Sequence, residues 1–159
     1  MQKRVSLFLD TKIFYNDAYL YITCLLGVGF LSAQTLIINE VDADSPGADN
    51  AEFVELYSST PNFPLDGYAL VLFNGSNDAS YASYDLDGRS TDSNGYFVIG
   101  DSGVIGVSET LNSSALQNGA DAVALYQANK SDFPINAAVT TTNLIDAIVY
   151  DSDDADVTG

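Results

Sequence analysis

The chain has 159 residues, with 22 Asp and Glu against 5 Lys and Arg, a formal charge of -17, no histidine, one cysteine and no tryptophan. After position 33 only Arg89 and Lys130 stand against 20 acids, which excludes nucleic-acid binding by this module alone, because backbone affinity depends on Lys and Arg displacing condensed counterions. Disorder is excluded as well: 47% of the residues are hydrophobic and they include 10 Tyr and 8 Phe, more apolar material than a chain that fails to collapse carries.

The first 33 residues read as an export signal. Lys3, Arg4 and Lys12 precede an apolar run over 18–31, and Leu31-Ser32-Ala33 before Gln34 is a small-residue cleavage pattern. The run is 14 residues long, short of the roughly 20 that span a bilayer. An uncleaved anchor is the alternative, and it would be the module's only route to a membrane. Asp10 and Asp17 lengthen the charged region, so a start further along the chain is also open. Cys24 lies inside the apolar run and would leave with the leader. Thr23 before it, and the apolar residues after it, argue against a lipoprotein signal. The mature chain then has no thiol and no disulfide framework, and its stability must come from its core.

From Gln34 onward short β-rich runs alternate with turn formers. Residues 34–41 predict a first strand and 42–50 a loop dense in Asp, Pro, Gly and Asn. Residues 51–57 predict a second strand, with Val54, Leu56 and Glu52 on one face and Phe53, Glu55 and Tyr57 on the other, so both faces are partly covered. Residues 68–73 are apolar on both faces, the pattern of a central strand. Asn74-Gly75 starts a turn, residues 81–86 predict an edge strand, and 96–99 follow Asp92-Ser93-Asn94-Gly95 as another strand.

Residues 102–118 predict a long irregular surface connection. Residues 121–127 and 143–150 predict the last two strands, the latter with Ile145, Ala147 and Val149 on one face and Asp146 on the other. About seven strands in roughly 115 residues, with frequent turns and no helical periodicity, indicate an all-β antiparallel sandwich over 34–151. Residues 152–159 form an acidic tail or a truncated linker. There is no internal repeat and no second domain within the chain.

Several of these runs together resemble the lamin tail domain of secreted bacterial proteins. The resemblance rests on Ile38-Asn39-Glu40-Val41, on Glu52-Phe53-Val54-Glu55-Leu56-Tyr57, and on Leu65-Asp66-Gly67-Tyr68-Ala69-Leu70. Gly95-Tyr96-Phe97-Val98-Ile99-Gly100-Asp101 and the run from Gly119 to Tyr126 extend it over most of the mature chain. It implies an immunoglobulin-like β-sandwich that serves as a binding or accessory module, often joined to nucleases, phosphatases or adhesion domains, with no catalytic residues of its own.

The side-chain inventory points the same way. Without histidine or a mature cysteine there is no Ser-His-Asp triad, no Cys-His pair and no usual zinc site. A nuclease centre pairing acids with a base could draw only on Arg89 and Lys130. Paired-carboxylate glycoside hydrolysis needs two acids, but also a stacking cleft, and there is no tryptophan.

Glu40, Glu52 and Glu55 could converge from neighbouring strands and recruit a hard cation, or could hydrogen-bond loop backbone. Calcium is the best metal candidate, as it takes six to eight oxygens. Three places offer them: Asp42, Asp44 and Asp49 in the first loop; Asp85, Asp87 and Asp92 around Gly88; and Asp151, Asp153, Asp154 and Asp156 at the end. None forms an EF-hand, since Arg89 occupies the third ligand position after Asp85 and Asp87. The first loop, Asp42, Asp44 and Asp49, is the chosen calcium candidate, with solvated turn aspartates as the competing reading. Tyr81 and Tyr84, interleaved with Ser80 and Ser83, suit recognition of sugars or proteins or merely express strand propensity.

The expectation is therefore a secreted, extracellular or cell-surface, non-catalytic module with a protein or polysaccharide partner, no required cofactor and calcium as an optional ion. Two alternatives stand beside it. One is the N-terminal accessory domain of a secreted nuclease or phosphatase whose catalytic domain lies beyond residue 159. The other is a calcium-stabilised adhesion module.

Overall fold

The computed structural model describes residues 36–44, 50–112 and 115–151, all of them within the unit Gln34–Gly159. The expected leader, Asp49 and the acidic tail over 152–159 lie outside the described residues.

The chain is all-β. Among the described residues its strands are β1 (Ile37–Asp42), β2 (Phe53–Tyr57), β3 (Ala69–Asn74), β4 (Ala79–Asp85), β5 (Tyr96–Gly100), β6 (Glu109–Thr110), β7 (Ala120–Tyr126) and β8 (Leu144–Asp151), with a 3-10 turn, Lys130–Asp132, between the last two. They form two four-stranded sheets, ordered β1-β2-β5-β6 and β4-β3-β7-β8. Every pairing is antiparallel except β5 with β6. The antiparallel sandwich expected from the turn spacing is present.

The core lies between the sheets. Val54 and Leu56 of β2 and Phe97 and Ile99 of β5 meet Leu70 and Leu72 of β3 and Val123 and Leu125 of β7, all buried. Each such side chain contributes about 1.5–3 kcal/mol by leaving water. β3 is central, as its two apolar faces require: Leu70 and Leu72 face this core, while Val71 and Phe73 face outward into a second cluster with Ala124, Tyr126 and Phe133. That outer cluster exists because the segment after β7 folds back over the sheet, placing Phe133 against Tyr126 at a centroid distance of 4.4 Å.

Three expectations need correction. The stretch over 102–118 is not wholly surface: it carries β6 and buries Leu111 and Leu116 in the main core. Leu111 is held there by its N–H donating to the Gly100 carbonyl at 2.8 Å. In β8 the inward residues include Ile148 and Tyr150, and Ala147 and Val149 face solvent. A bulge opposite Leu125 and Tyr126 resets the alternation, so Ile145 packs inward as well. Finally, β4 starts at Ala79 and has its own bulge opposite Leu72 and Phe73, which adds Tyr81 to Ala82 and Tyr84 on the core side.

Candidate functional site

The acidic residues are placed first by what their oxygens accept. Glu52 is fully buried at the start of β2, and its Oε2 accepts the Leu116 N–H at 3.1 Å. Asp101, also buried, accepts the Glu52 N–H at 3.3 Å, and its own N–H donates to the Glu52 carbonyl at 2.8 Å. Asp121 accepts the Gly75 N–H at 2.9 Å. Each of these carboxylates satisfies a backbone donor beside a strand end or in a loop, and for Glu52 and Asp101 the bond is buried.

The three expected glutamates do not form one cluster. Glu40 and Glu55 face each other across β1 and β2, and Glu55 accepts from the Asn39 amide at 2.7 Å. Glu52 points into the core. Its bond to loop backbone is the arrangement weighed against a cation site.

The aspartates around Gly88 also cap backbone. Asp87 accepts the Gly67 N–H at 2.6 Å and Asp66 accepts the Gly88 N–H at 2.7 Å, a reciprocal clamp between two turns. Asp85 accepts the Asp87 N–H at 3.0 Å. Asp92 accepts the Asn94 and Tyr96 N–H groups at 2.8 Å each, and those bonds, the Tyr96 one foremost, hold its carboxyl below the ordinary value of 3.8.

Of the first-loop calcium candidates, Asp42 ends β1 opposite Phe53 and Asp44 is exposed just beyond it. Asp49 is outside the described residues. Among the described residues no three His, Cys, Asp or Glu side chains converge as a metal-ion ligand set.

Tyr81 and Tyr84 are both half-buried. Both pack against the main core, and burial pushes their hydroxyls above the usual 10.0. The Tyr81 hydroxyl accepts the Gln117 N–H at 3.3 Å. Tyr150 is raised too, by burial and then by the neighbouring Tyr81 phenol. Ser80 and Ser83, on the opposite face, donate to the Pro134 and Phe133 carbonyls at 2.7 and 3.1 Å.

Those two serine bonds create the feature that remains. They tie the chain after the 3-10 turn to the outer face of β4 and leave a groove of about 580 Å3. Ser83 and Asp85 form one side, Asn129, Lys130 and Ser131 the other, and Phe133, Pro134 and Ile135 the apolar end. The turn is fixed by Asp132, whose carboxylate accepts the Asn129 N–H at 3.1 Å. Phe133 is buried as its anchor, whereas Ile135 is 72% exposed. Arg89 is ion-paired with Glu109, so among the described residues Lys130 is the one cation outside an ion pair.

The groove thus offers a carboxylate, an ammonium, hydroxyl and amide groups and an apolar platform within one concavity. That set suits a polar, largely uncharged ligand, whose hydroxyls meet donors and acceptors while a flatter face rests on Pro134 and Ile135. Sequence reasoning noted Lys130 only as a base for a nuclease centre. The signal that could have found the groove is the lone Lys130 beside Phe133-Pro134, two residues that stop a strand and anchor a return.

No family model matches the chain, and no curated protein matches it. The functional reading therefore rests on the residues themselves.

Proposed function

We propose that this chain is an exported, non-catalytic β-sandwich module of the lamin-tail kind, which binds an extracellular polysaccharide or protein partner and positions whatever is joined to it. One observation carries the reading: the carboxylates are used as backbone caps. Glu52, Asp101, Asp121, Asp87, Asp66 and Asp92 each accept main-chain N–H groups, an arrangement that builds a rigid scaffold. That use differs from a hydrolytic centre, whose acids move protons or attack.

The groove beside β4 is the contact surface this reading favours. Its mixture of Asp85, Lys130, Asn129 and Ile135 matches a neutral sugar chain better than a polyanion, which the acidic body repels. The test is a titration of the full chain with neutral oligosaccharides, followed by NMR or calorimetry. Saturable binding that is lost in Asn129→Ala and Lys130→Ala, with unchanged melting temperature, is the expected result. Binding that ignores both substitutions would place the ligand elsewhere. Hydrolysis of the saccharide by purified chain would overturn the non-catalytic reading.

A further inference from the structure

The two edges of the β4-β3-β7-β8 sheet are treated differently. At β4 the returning segment already pairs with the strand: the Ser80 N–H donates to the Ala137 carbonyl at 2.8 Å, the Asn136 N–H to the Ser80 carbonyl at 2.8 Å, and the Val139 N–H to the Asp78 carbonyl at 3.1 Å. At β8 a bulge and a capping carboxylate lie in the first half. There the strand is bulged opposite Leu125 and Tyr126, and Asp146 reaches toward β1.

From Ala147 to Tyr150 the strand pairs regularly with β7 on one side, and among the described residues no strand lies on the other. Val149 is 79% exposed and sits opposite the small side chain of Ala122. Ile148 and Tyr150, on the other face, are only partly buried against the core. A regular edge with an apolar outer face and no charge or proline to block it is a template for another strand.

We propose that this edge of β8 takes up an extended, basic segment of a partner protein as an added antiparallel strand. Charge selects that occupant. The chain carries a formal charge of -17, and in sequence β8 runs directly into Asp151, Asp153, Asp154 and Asp156. Edge-to-edge pairing of a second copy would bring two such acidic bodies together. A partner strand with Lys and Arg at its N-terminal end, by contrast, sets them at the Asp151 end of β8, because antiparallel addition places the two ends together. Main-chain hydrogen bonds supply affinity, and β-branched residues at alternate positions rest beside Val149 and Ala147. The edge is on the opposite side of the sheet from the β4 groove, and the proposal stands independently of the ligand there.

The probe is a synthetic peptide of sequence Lys-Arg-Lys-Thr-Val-Thr-Val-Thr, titrated into isotope-labelled full chain. The expected result is chemical-shift change at the 147–150 amides. Val149→Lys should weaken binding about tenfold, as like charges set side by side across an interface do, while Val149→Thr should bind as the parent does. A peptide of the same charge with alternate amides N-methylated should not bind, since it cannot pair. Equal binding of the methylated peptide, or shifts confined to the acidic run after Tyr150, would reduce the effect to diffuse attraction and overturn the proposal. Self-association of the chain that Val149→Lys disperses would overturn it in favour of a second copy.

Discussion

The carboxylate of Asp146 on β8 accepts the Ile38 N–H of β1 at 3.0 Å, a bond between residues 108 positions apart that joins the edge strands of the two sheets. It satisfies an outward-facing donor of β1 and places a charge on the inner side of β8, where a foreign strand would otherwise begin to pair. Asp146→Ala is expected to lower stability by about 1–3 kcal/mol, the range for removing a charged acceptor from a partly buried N–H. Asp146→Asn should cost less, since its amide oxygen still accepts. Urea unfolding with an unchanged m-value checks both.

Glu52 is a sterner case because it is fully buried. Glu52→Leu keeps much of the volume but removes the acceptor of the Leu116 N–H. The expected loss is about 1–3 kcal/mol from the unpaired donor, with loosening of the loop that carries Leu111 and Leu116. Amide exchange at Leu116 should accelerate in Glu52→Leu and much less in Glu52→Gln.

Alkaline pH should unfold the chain earlier than its acidity alone suggests. Burial raises the hydroxyls of Tyr81, Tyr84, Tyr126 and Tyr150 above the ordinary 10.0. Below that value both folded and unfolded states hold these protons, and the phenols add no pH dependence. Above it the unfolded chain sheds protons that the folded chain retains, so stability falls as pH rises. Melting temperatures measured across that boundary, with tyrosinate absorbance followed in parallel, should show four late-titrating phenols that appear only with unfolding.

Gly95 and Gly88 separate two costs of adding a side chain. Both have positive φ, +92° and +74°, but a Cβ at Gly95 would lie 2.0 Å from the Ser58 carbonyl oxygen, while at Gly88 nothing is within 4 Å. Gly88→Ala should cost about 1–2 kcal/mol, the penalty for left-handed backbone. Gly95→Ala should cost clearly more, because the turn must also open against Ser58, whose N–H donates to the Gly95 carbonyl at 2.8 Å. Parallel denaturation curves decide the ranking.

Calcium should raise the melting temperature no more than sodium chloride of equal ionic strength does. Asp87 and Asp92 are already occupied with backbone donors, and general screening relieves the self-repulsion of an acidic body whatever the cation. A calcium-specific rise abolished by Asp42→Asn, Asp44→Asn and Asp49→Asn together would instead establish the first loop as an ion site.

Strand existence was legible because it depends on local composition: the doubly apolar run from Tyr68 to Phe73 had to be central, and β3 (Ala69–Asn74) is. The face of β8 was not. One extra residue opposite Leu125 and Tyr126 shifts the alternation, and a bulge depends on the partner strand, which the sequence of β8 alone does not contain. For the same reason Tyr81 and Tyr84, weighed between a recognition surface and plain strand propensity, could not be put on one face by alternation, yet the bulge in β4 brings Tyr81 to the inner side that Tyr84 faces. The buried Glu52 was placed on the correct face, beside Val54 and Leu56, but its acceptor role depends on Leu116, 64 positions away. The groove was least legible of all, since it arises from a segment folding back onto β4 and from no motif within either piece.

The sheet order carries a consequence for how the chain reaches this state. β3 and β4 form a hairpin joined by residues 75–78, inserted in sequence between β2 and β5, which must pair with each other in the opposite sheet. That hairpin and the β1–β2 pair can each form as soon as they are made, while the second edge of β2 waits for β5 and the Ile38 N–H of β1 waits for Asp146 near the far end. Long-range pairings of this kind charge their loop entropy before returning any contact energy, which places the folding of such sandwiches on the slow, millisecond-to-second scale. An emerging chain therefore holds the β1–β2 pair with its β5-facing edge open until β5 is made, and the abundant acids that later cap its turns also keep that half-made sheet from finding another like itself.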